Sequence, residues 1–99
     1  MNVRSKEQKL EGACRCLRGI AHPIRLAVLM ELKKGEASVN DIAARIAGVS
    51  QSNLSQHLAK MQGCGLLVSR REGAQVFYDV ADERVFELIA LMEEVFCKR

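Results

Sequence analysis

The chain has 99 residues, of which 48% are apolar, and its formal charge is +3. This composition predicts one folded domain over residues 1–99, small enough that association with a partner would add to its stability. The N-terminal stretch MNVRSKEQKLEG lacks a signal-peptide core, and no apolar run reaches membrane-spanning length. We therefore expect a cytoplasmic protein with no membrane partner.

Acidic residues are unevenly distributed along the chain. There is no Asp or Glu between Ile42 and Arg71, whereas Arg45, Lys60 and Arg70 lie in that span. An acid-free span of this length favours a surface that faces a polyanion such as DNA. Chance also produces such a span in a short chain, so the span gains weight only beside a helix suited to DNA.

Apolar periodicity predicts two helices in the first third of the chain. The first covers residues 7–21 and carries Leu17 on its apolar stripe. His22 and Pro23 end it, because the residue before a proline is pushed toward an extended conformation. Pro23 can open the second helix without losing a hydrogen bond, and Gly35 ends that helix.

A helix-turn-helix is predicted next. The third helix begins at Ser38, with Asp41 three residues later as the partner in a capping box. Ile42 and Ile46 of this helix point inward. Gly48 then forms the short turn before the fourth helix.

The fourth helix lies in VSQSNLSQHLAKM, residues 49–61, and its polar face is suited to reading DNA. Ser50 can cap it, while Leu54, Leu58 and Met61 recur with helical spacing and anchor it in a core. The opposite face carries amides and hydroxyls, which pair with base edges and phosphate oxygens in the major groove. The residues of this helix expected to contact DNA are Gln51, Ser52, Asn53, Ser55, Gln56, His57 and Lys60. An ordinary amphipathic helix is the alternative.

A two-stranded β-hairpin is predicted after the fourth helix. Gly63 and Gly65 break the helical pattern, and residues 75–80 alternate between apolar and polar side chains. Arg70 and Arg71 lie near the hairpin tip, where they could reach the DNA backbone or minor groove. The alternative is a structural hairpin with solvated arginines.

The last helix, residues 82–97, is apolar on more than one face. A small domain cannot bury such a helix alone, so a partner must cover part of it. That partner is a second copy of the chain or, in an alternative interpretation, a different protein bound by an interaction module.

Three segments carry a close resemblance to a known family: AHPIRLAVLMEL, SVNDIAARIAGVSQSNLSQHLAKM and GLLVSRREGAQVFYDV. They resemble the ArsR/SmtB family of small bacterial winged-helix repressors over nearly the whole chain, and the motif SQSxLSQHL is specific. The resemblance implies a mostly α-helical winged helix-turn-helix fold, with four helices, a β-hairpin and a fifth helix. It also implies a homodimer formed through the first and last helices, which releases operator DNA when an inducer reaches it. By position, the reading helix is 50–62 and the wing is 66–80.

The dimer interface is expected to use apolar positions of the first and last helices. These are Leu10, Leu17, Val85, Leu88, Ile89, Met92, Val95 and Phe96.

Two metal sites common in the family lack their ligands here. The third-helix site needs a Cys-x-Cys, but ELKKGEASVNDI has no cysteine or histidine. The last-helix site would use Asp82, but Arg84, Val95 and Lys98 occupy the other ligand positions and cannot hold zinc. We expect no metal at either site and no cofactor.

The cysteines, at 14, 16, 64 and 97, form no CxxC pair. Cys97 matches a cysteine kept by the family branch that senses reactive sulfur or oxidants, but that branch's second cysteine corresponds to Met30. Cys14 and Cys16 are the candidate partners, because the first helix lies beside the last in this fold. They should not pair with each other, since residues two apart on a helix diverge by about 200°.

The sequence therefore predicts that polysulfide or peroxide joins Cys97 to Cys14 or Cys16 and releases DNA. Two alternatives stay open: the three sulfurs hold arsenite or another soft ion, or the cysteines sense nothing. Cys64 is expected to be an ordinary turn residue.

Motifs of common enzyme classes are absent: there is no Gly-rich phosphate loop, HExxH or GxSxG. We expect a protein that is not an enzyme and whose partners are double-stranded operator DNA, a second copy of itself and a small inducer.

Overall fold

Five helices and three short strands make up the part of the chain that the structure, a computed structural model, describes. The backbone is described for residues 3–97 and the side chains for residues 6–97. In chain order the elements are α1 (Val3–Ile20), α2 (Pro23–Leu32), β1 (Ala37–Ser38), α3 (Val39–Arg45), α4 (Gln51–Gly63), β2 (Leu67–Glu72), β3 (Gln75–Val80) and α5 (Arg84–Met92), followed by a π-helical turn, Glu93–Cys97. This order confirms the predicted winged helix-turn-helix class.

A side chain caps each of α2, α3 and α4, and the caps at Ser38 and Ser50 are those predicted. His22 precedes α2, where its Nδ1 accepts a hydrogen bond from the backbone N–H of Ile24. The Oγ of Ser38 accepts from the N–H of Asp41 at 3.1 Å, and the Oγ of Ser50 accepts from the N–H of Asn53 at 3.1 Å. Each cap satisfies an N–H group that the first turn of its helix leaves unpaired.

The sheet has three strands, not the two predicted. β2 and β3 form the expected antiparallel hairpin, with its turn at Gly73, where φ is +62°. β1 adds to the other edge of β3, pairing Ala37 with Tyr78 and Ser38 with Phe77. Two residues are too few for an alternating pattern, so sequence periodicity could not reveal this strand.

The core lies where α2, α3 and α4 meet the sheet. Its most buried side chains come from each of these elements: Val28, Leu29, Leu32, Ile42, Leu54, Leu58, Met61 and Leu67. Together they fix α4 by its apolar stripe, and the rest of that helix projects from the domain.

The last helix is shorter than predicted. The sequence pattern extended it from residue 82 to 97, but the α-helical part is Arg84–Met92 and the turn after it is π-helical. Asp82 lies just before the helix, where its Oδ1 accepts a hydrogen bond from the N–H of Arg84. A single π-helical turn of five residues is too short for the apolar pattern to distinguish it from an α-helix.

Within the described residues, no helix is long and apolar enough to cross a membrane.

Candidate nucleic-acid interface and thiol groups

The polar face of α4 is exposed along its length. Leu54, Leu58 and Met61 have no exposed surface, which holds the helix against the core. The exposed side chains are Gln51, Ser52, Asn53, Ser55, Gln56 and Lys60, six of the seven residues predicted for this helix. Apart from the amide of Gln51, which bonds Asn40, their amide, hydroxyl and ammonium groups are exposed to an approaching base edge or phosphate.

A polar cleft of about 230 Å³ lies between α3, the start of α4 and the hairpin turn. Gln51 and Ser55 line it from α4, and Gln75 lines it from β3. Gln51 donates a hydrogen bond from Nε2 to the Oδ1 of Asn40 at 3.0 Å, which ties the first turn of α4 to α3. The hairpin and α4 thus border one concave polar surface.

His57 is the exception among the predicted α4 residues, because it is half-buried instead of outward-facing. Its Nδ1 accepts a hydrogen bond from the Nε of Arg25 at 3.1 Å, and its ring lies 4.5 Å from that of His22. Burial lowers the pKa of His57, and electrostatic interactions with His22, Arg25 and Lys60 lower it further. The neutral imidazole therefore serves as a fixed acceptor between α2 and α4.

The two wing arginines differ in their surroundings. Arg70 donates to the carboxylate of Glu36 at 2.7 and 2.8 Å and to Glu72 at 2.8 Å, and its guanidinium lies 4.6 Å from the centre of the Phe77 ring. These hydrogen bonds raise the pKa of Arg70, and the bond from Arg70 lowers the pKa of Glu36. Arg71 is exposed and makes no ion pair with the side chains described for residues 6–97.

An apolar groove of about 330 Å³ runs between α1, α2 and α5. Its walls include Leu17, Met30, Leu88 and Met92, each of them 39–50% exposed. Cys97 also lines this groove. Met30 and Cys97, which the family resemblance paired by position, therefore border the same space.

The predicted dimer residues fall into two groups. Leu10, Leu17, Leu88, Met92, Val95 and Phe96 are exposed, with Phe96 the most exposed at 73%. Ile89 is only 7% exposed, because it packs into the core of its own chain, and Val85 packs partly against that core. These two residues have less surface for a partner than the sequence pattern indicated.

The four cysteines are free thiols in two different settings. Cys14, Cys16 and Cys97 are exposed. Cys64 lies in the turn after α4, as expected, and is half-buried against α1. No three His, Cys, Asp or Glu side chains in the described part of the chain lie close enough together to hold a metal ion.

Comparison with known proteins identifies the group to which this architecture belongs. Residues 22–69 match the model of the family described as "Bacterial regulatory protein, arsR family". The chain is 36% identical to the HTH-type transcriptional regulator YgaV of Escherichia coli, over 88% of both chains. The chain belongs to the ArsR family.

Two further relatives bear on how ArsR-family proteins work. The chain is 36% identical to the biofilm growth-associated repressor of Agrobacterium fabrum, over 82% of this chain and 68% of the relative. It is also similar to the solution structure of Mb0332 from Mycobacterium bovis, described as a homodimeric winged helix-turn-helix DNA-binding domain. That similarity has a TM-score of 0.83 at 33% identity, covering 96% of this chain and 86% of the other. The chain is thus a transcriptional regulator, and its relatives are regulators and not enzymes.

Asp82, which the resemblance matches with one ligand of a last-helix metal site, is held by a neighbouring side chain. Both of its oxygens accept hydrogen bonds from the guanidinium of Arg84, at 2.6–3.1 Å. These bonds lower the pKa of Asp82 to about 2. Its lone pairs are therefore occupied by Arg84, and Lys98, at another position of that site, lies outside the described residues.

Three residues with structural roles at the interface escaped the sequence analysis. Arg25 bonds His57 and also donates to the carbonyl oxygens of Arg18 and Gly19. Asn40 holds Gln51, and Glu36 holds Arg70. The side-chain partners are 11 to 34 positions apart, so no local pattern could have indicated these contacts.

Proposed function

We propose that this ArsR-family chain is a homodimeric repressor that binds an inverted-repeat operator and releases it when cysteine thiols are modified. The main support is the exposed polar face of α4, which carries Ser52, Ser55 and Gln56 on a helix fixed by a fully buried stripe. A rigid helix with short amides and hydroxyls is the kind of element that reads base edges.

The dimer is supported by the groove between α1 and α5. Exposed apolar side chains on both helices border it, and Leu91, Val95 and Phe96 extend the exposed surface of the C-terminal helix. A second copy of the chain would bury these side chains and gain about 25 cal/mol for each Å² removed from water. Twofold symmetry then requires an inverted repeat, with half-sites about 34 Å apart or a multiple of that distance.

The thiol switch is supported by the position of Cys97. Cys97 and Leu17 line the same groove, and Cys14 lies one helical turn before Leu17 on that face of α1. Peroxide or polysulfide that joins Cys97 to Cys14 or Cys16 would hold α1 against the C-terminal turn and change the angle between the reading heads. An arsenite site made of Cys14, Cys16 and Cys97 is less well supported, because the three sulfurs do not form a cluster within the chain.

DNA binding is tested with the region upstream of the protein's own gene, compared with a scrambled duplex at two salt concentrations. A repressor should bind the upstream DNA more tightly than the scrambled duplex. Its affinity should fall with salt concentration, with a log–log slope of about −0.9 for each phosphate neutralised. Equal affinity for both duplexes would contradict operator recognition.

The thiol switch is tested separately, on the protein already bound to its preferred duplex. Peroxide or polysulfide should release DNA from the wild type and not from Cys97→Ser. Release from Cys97→Ser, or release of the wild type by arsenite alone, would contradict a switch at Cys97.

A further inference from the structure

A second pair of cysteines lies where α1 packs on the turn between α4 and β2. Gly19 is buried at this contact, and a Cβ built on it would lie 2.6 Å from the Sγ of Cys64 and 3.9 Å from its Cβ. Cys16 precedes Gly19 by one helical turn and shares its face of α1. The Sγ of Cys16 lies 3.8 Å from the carbonyl oxygen of Cys64. The close approach at Gly19 thus brings one thiol from α1 and one from the turn together.

We propose that Cys16 and Cys64 form a dithiol site that hydrogen peroxide closes into an intrachain disulfide. Cys16 is exposed and Cys64 is half-buried, so Cys16 meets the oxidant first. Its thiolate attacks the O–O bond, becomes a sulfenic acid and releases hydroxide, which leaves as water with the proton that Cys16 lost. The Cys64 thiolate then attacks the sulfenic sulfur, the S–S bond forms, and the hydroxide that departs takes the Cys64 proton as a second water.

Closure requires a small displacement of α1, and the packing of this helix permits it. From Lys6 to Arg18 every residue is exposed except Gly12, which is half-buried. A segment with few buried contacts within its own chain moves at little cost in the single chain. The thiol of Cys64 is weakly held. Its Sγ donates only to the carbonyl oxygen of Met61, at 3.4 Å, and S–H groups are weak donors.

The disulfide would join two regions that serve different roles in the proposed repressor. Cys16 and Cys64 are 48 positions apart, and α2, α3 and α4 lie between them. The bond would anchor α1 to the segment that leads from α4 into β2. It would also remove Cys16 as a partner for Cys97 and leave Cys14 for that role. The site itself depends on the packing of α1 and not on the proposed DNA-binding function.

The test uses the reduced full-length chain, treated with hydrogen peroxide and then with N-ethylmaleimide to block the remaining thiols. Trypsin cuts after Arg15 and Arg18 and after Lys60 and Arg70, so the Cys16 peptide is separate from that of Cys14. Mass spectrometry should find the Cys16 and Cys64 peptides joined, with the loss of two hydrogen masses. The same product should form in Cys97→Ser.

In Cys64→Ser, the cross-link should disappear and dimedone should trap a sulfenic acid on Cys16. If that variant does not fold, Cys16→Ser provides a second test, because Cys16 is the exposed member of the pair. After peroxide treatment of this variant, Cys64 should react completely with N-ethylmaleimide. Full blocking of Cys64 in the treated wild type, or joining of Cys16 to Cys97, would overturn the proposal. Because the readout is a peptide mass, this result is independent of the DNA-binding assay.

Discussion

Helices α4 and α5 both carry apolar stripes, but only α4 buries its stripe within the chain. Leu54 and Leu58 have no exposed surface, whereas Leu88 and Met92 are 39% and 47% exposed. An apolar face that is covered by its own chain leaves the polar face of the helix free to bind a ligand. An apolar face that stays exposed to water is typical of a surface that binds another protein chain. We therefore propose different partners for the two helices, DNA for α4 and another copy of the chain for α5.

The largest effect is expected from a charge placed in the apolar groove between α1, α2 and α5. Leu88→Lys should bury an unpaired ammonium in the dimer interface, at a cost on the order of 3 kcal/mol, or more than a hundredfold in the dimer Kd. Analytical ultracentrifugation at micromolar concentration measures this shift toward monomer.

Val68→Lys is the matched control, because Val68 is also exposed (52%) but lies on β2, opposite Asp79. This variant should remain dimeric. If the wild-type protein is already monomeric at micromolar concentration, the proposal that α5 binds a second copy of the chain is wrong.

A second substitution tests how tightly α1 packs on the turn between α4 and β2. In Gly19→Ala, the new Cβ would lie 2.6 Å from the Sγ of Cys64 and 3.1 Å from Cδ1 of Leu66, so the free energy of unfolding should fall by about 1–3 kcal/mol. Chemical denaturation measures the change.

Gly12→Ala is the control in the same helix, because a Cβ there would meet no atom within 4 Å. Replacement of a helical glycine by alanine should raise stability by up to about 1 kcal/mol. The double variant Gly19→Ala, Cys64→Ala should recover part of the loss, and a loss unchanged by the second substitution would place the clash elsewhere.

The wing offers a comparison of two adjacent arginines. Arg71→Ala should lower the salt slope of DNA binding by about one unit, because an exposed guanidinium without an ion pair to residues 6–97 is available to a phosphate. Arg70→Ala should change the slope less, since Arg70 is held by Glu36 and Glu72. Affinity measured across a salt series checks both. An equal loss of slope would show that Arg70 leaves its carboxylates to contact DNA.

The smallest expected effect is a pH dependence that involves α4. The folded state lowers the pKa of His57 below its ordinary value of 6.5, through burial and electrostatic interactions with His22, Arg25 and Lys60. Below about pH 6.5 the unfolded chain therefore binds more protons at this site than the folded chain, and stability should fall as pH falls. His57→Gln keeps a neutral acceptor for Arg25 and should reduce that fall between pH 7 and 5. An unchanged pH profile in this variant would contradict the shift.

Local sequence patterns predicted the parts of the fold that depend on local physics. The caps at Ser38 and Ser50, the break at His22-Pro23 and the buried stripe of α4 all follow from spacing over three or four residues. The short strand β1 could not be predicted, because it forms only through its pairing with β3.

The candidate site was predictable only in part, for the same reason. Exposure of Gln56 and Lys60 follows from the position of the apolar stripe on α4. The burial of His57 depends on Arg25, which is 32 positions away. The packing of Cys64 depends on a glycine in α1, and the engagement of Arg70 depends on Glu36, 34 positions away. Contacts between remote residues leave no periodic signal in a single sequence.

The most direct test of α4 as the reading helix is the ratio of operator affinity to random-DNA affinity in Gln56→Ala. If Gln56 makes a bidentate base contact, its loss should lower this ratio by about 1–3 kcal/mol, while the affinity for random DNA stays nearly unchanged. Lys60→Ala, one turn along the same face, should weaken both duplexes and preserve the ratio. An unchanged ratio in Gln56→Ala would contradict the assignment of this side chain to base reading.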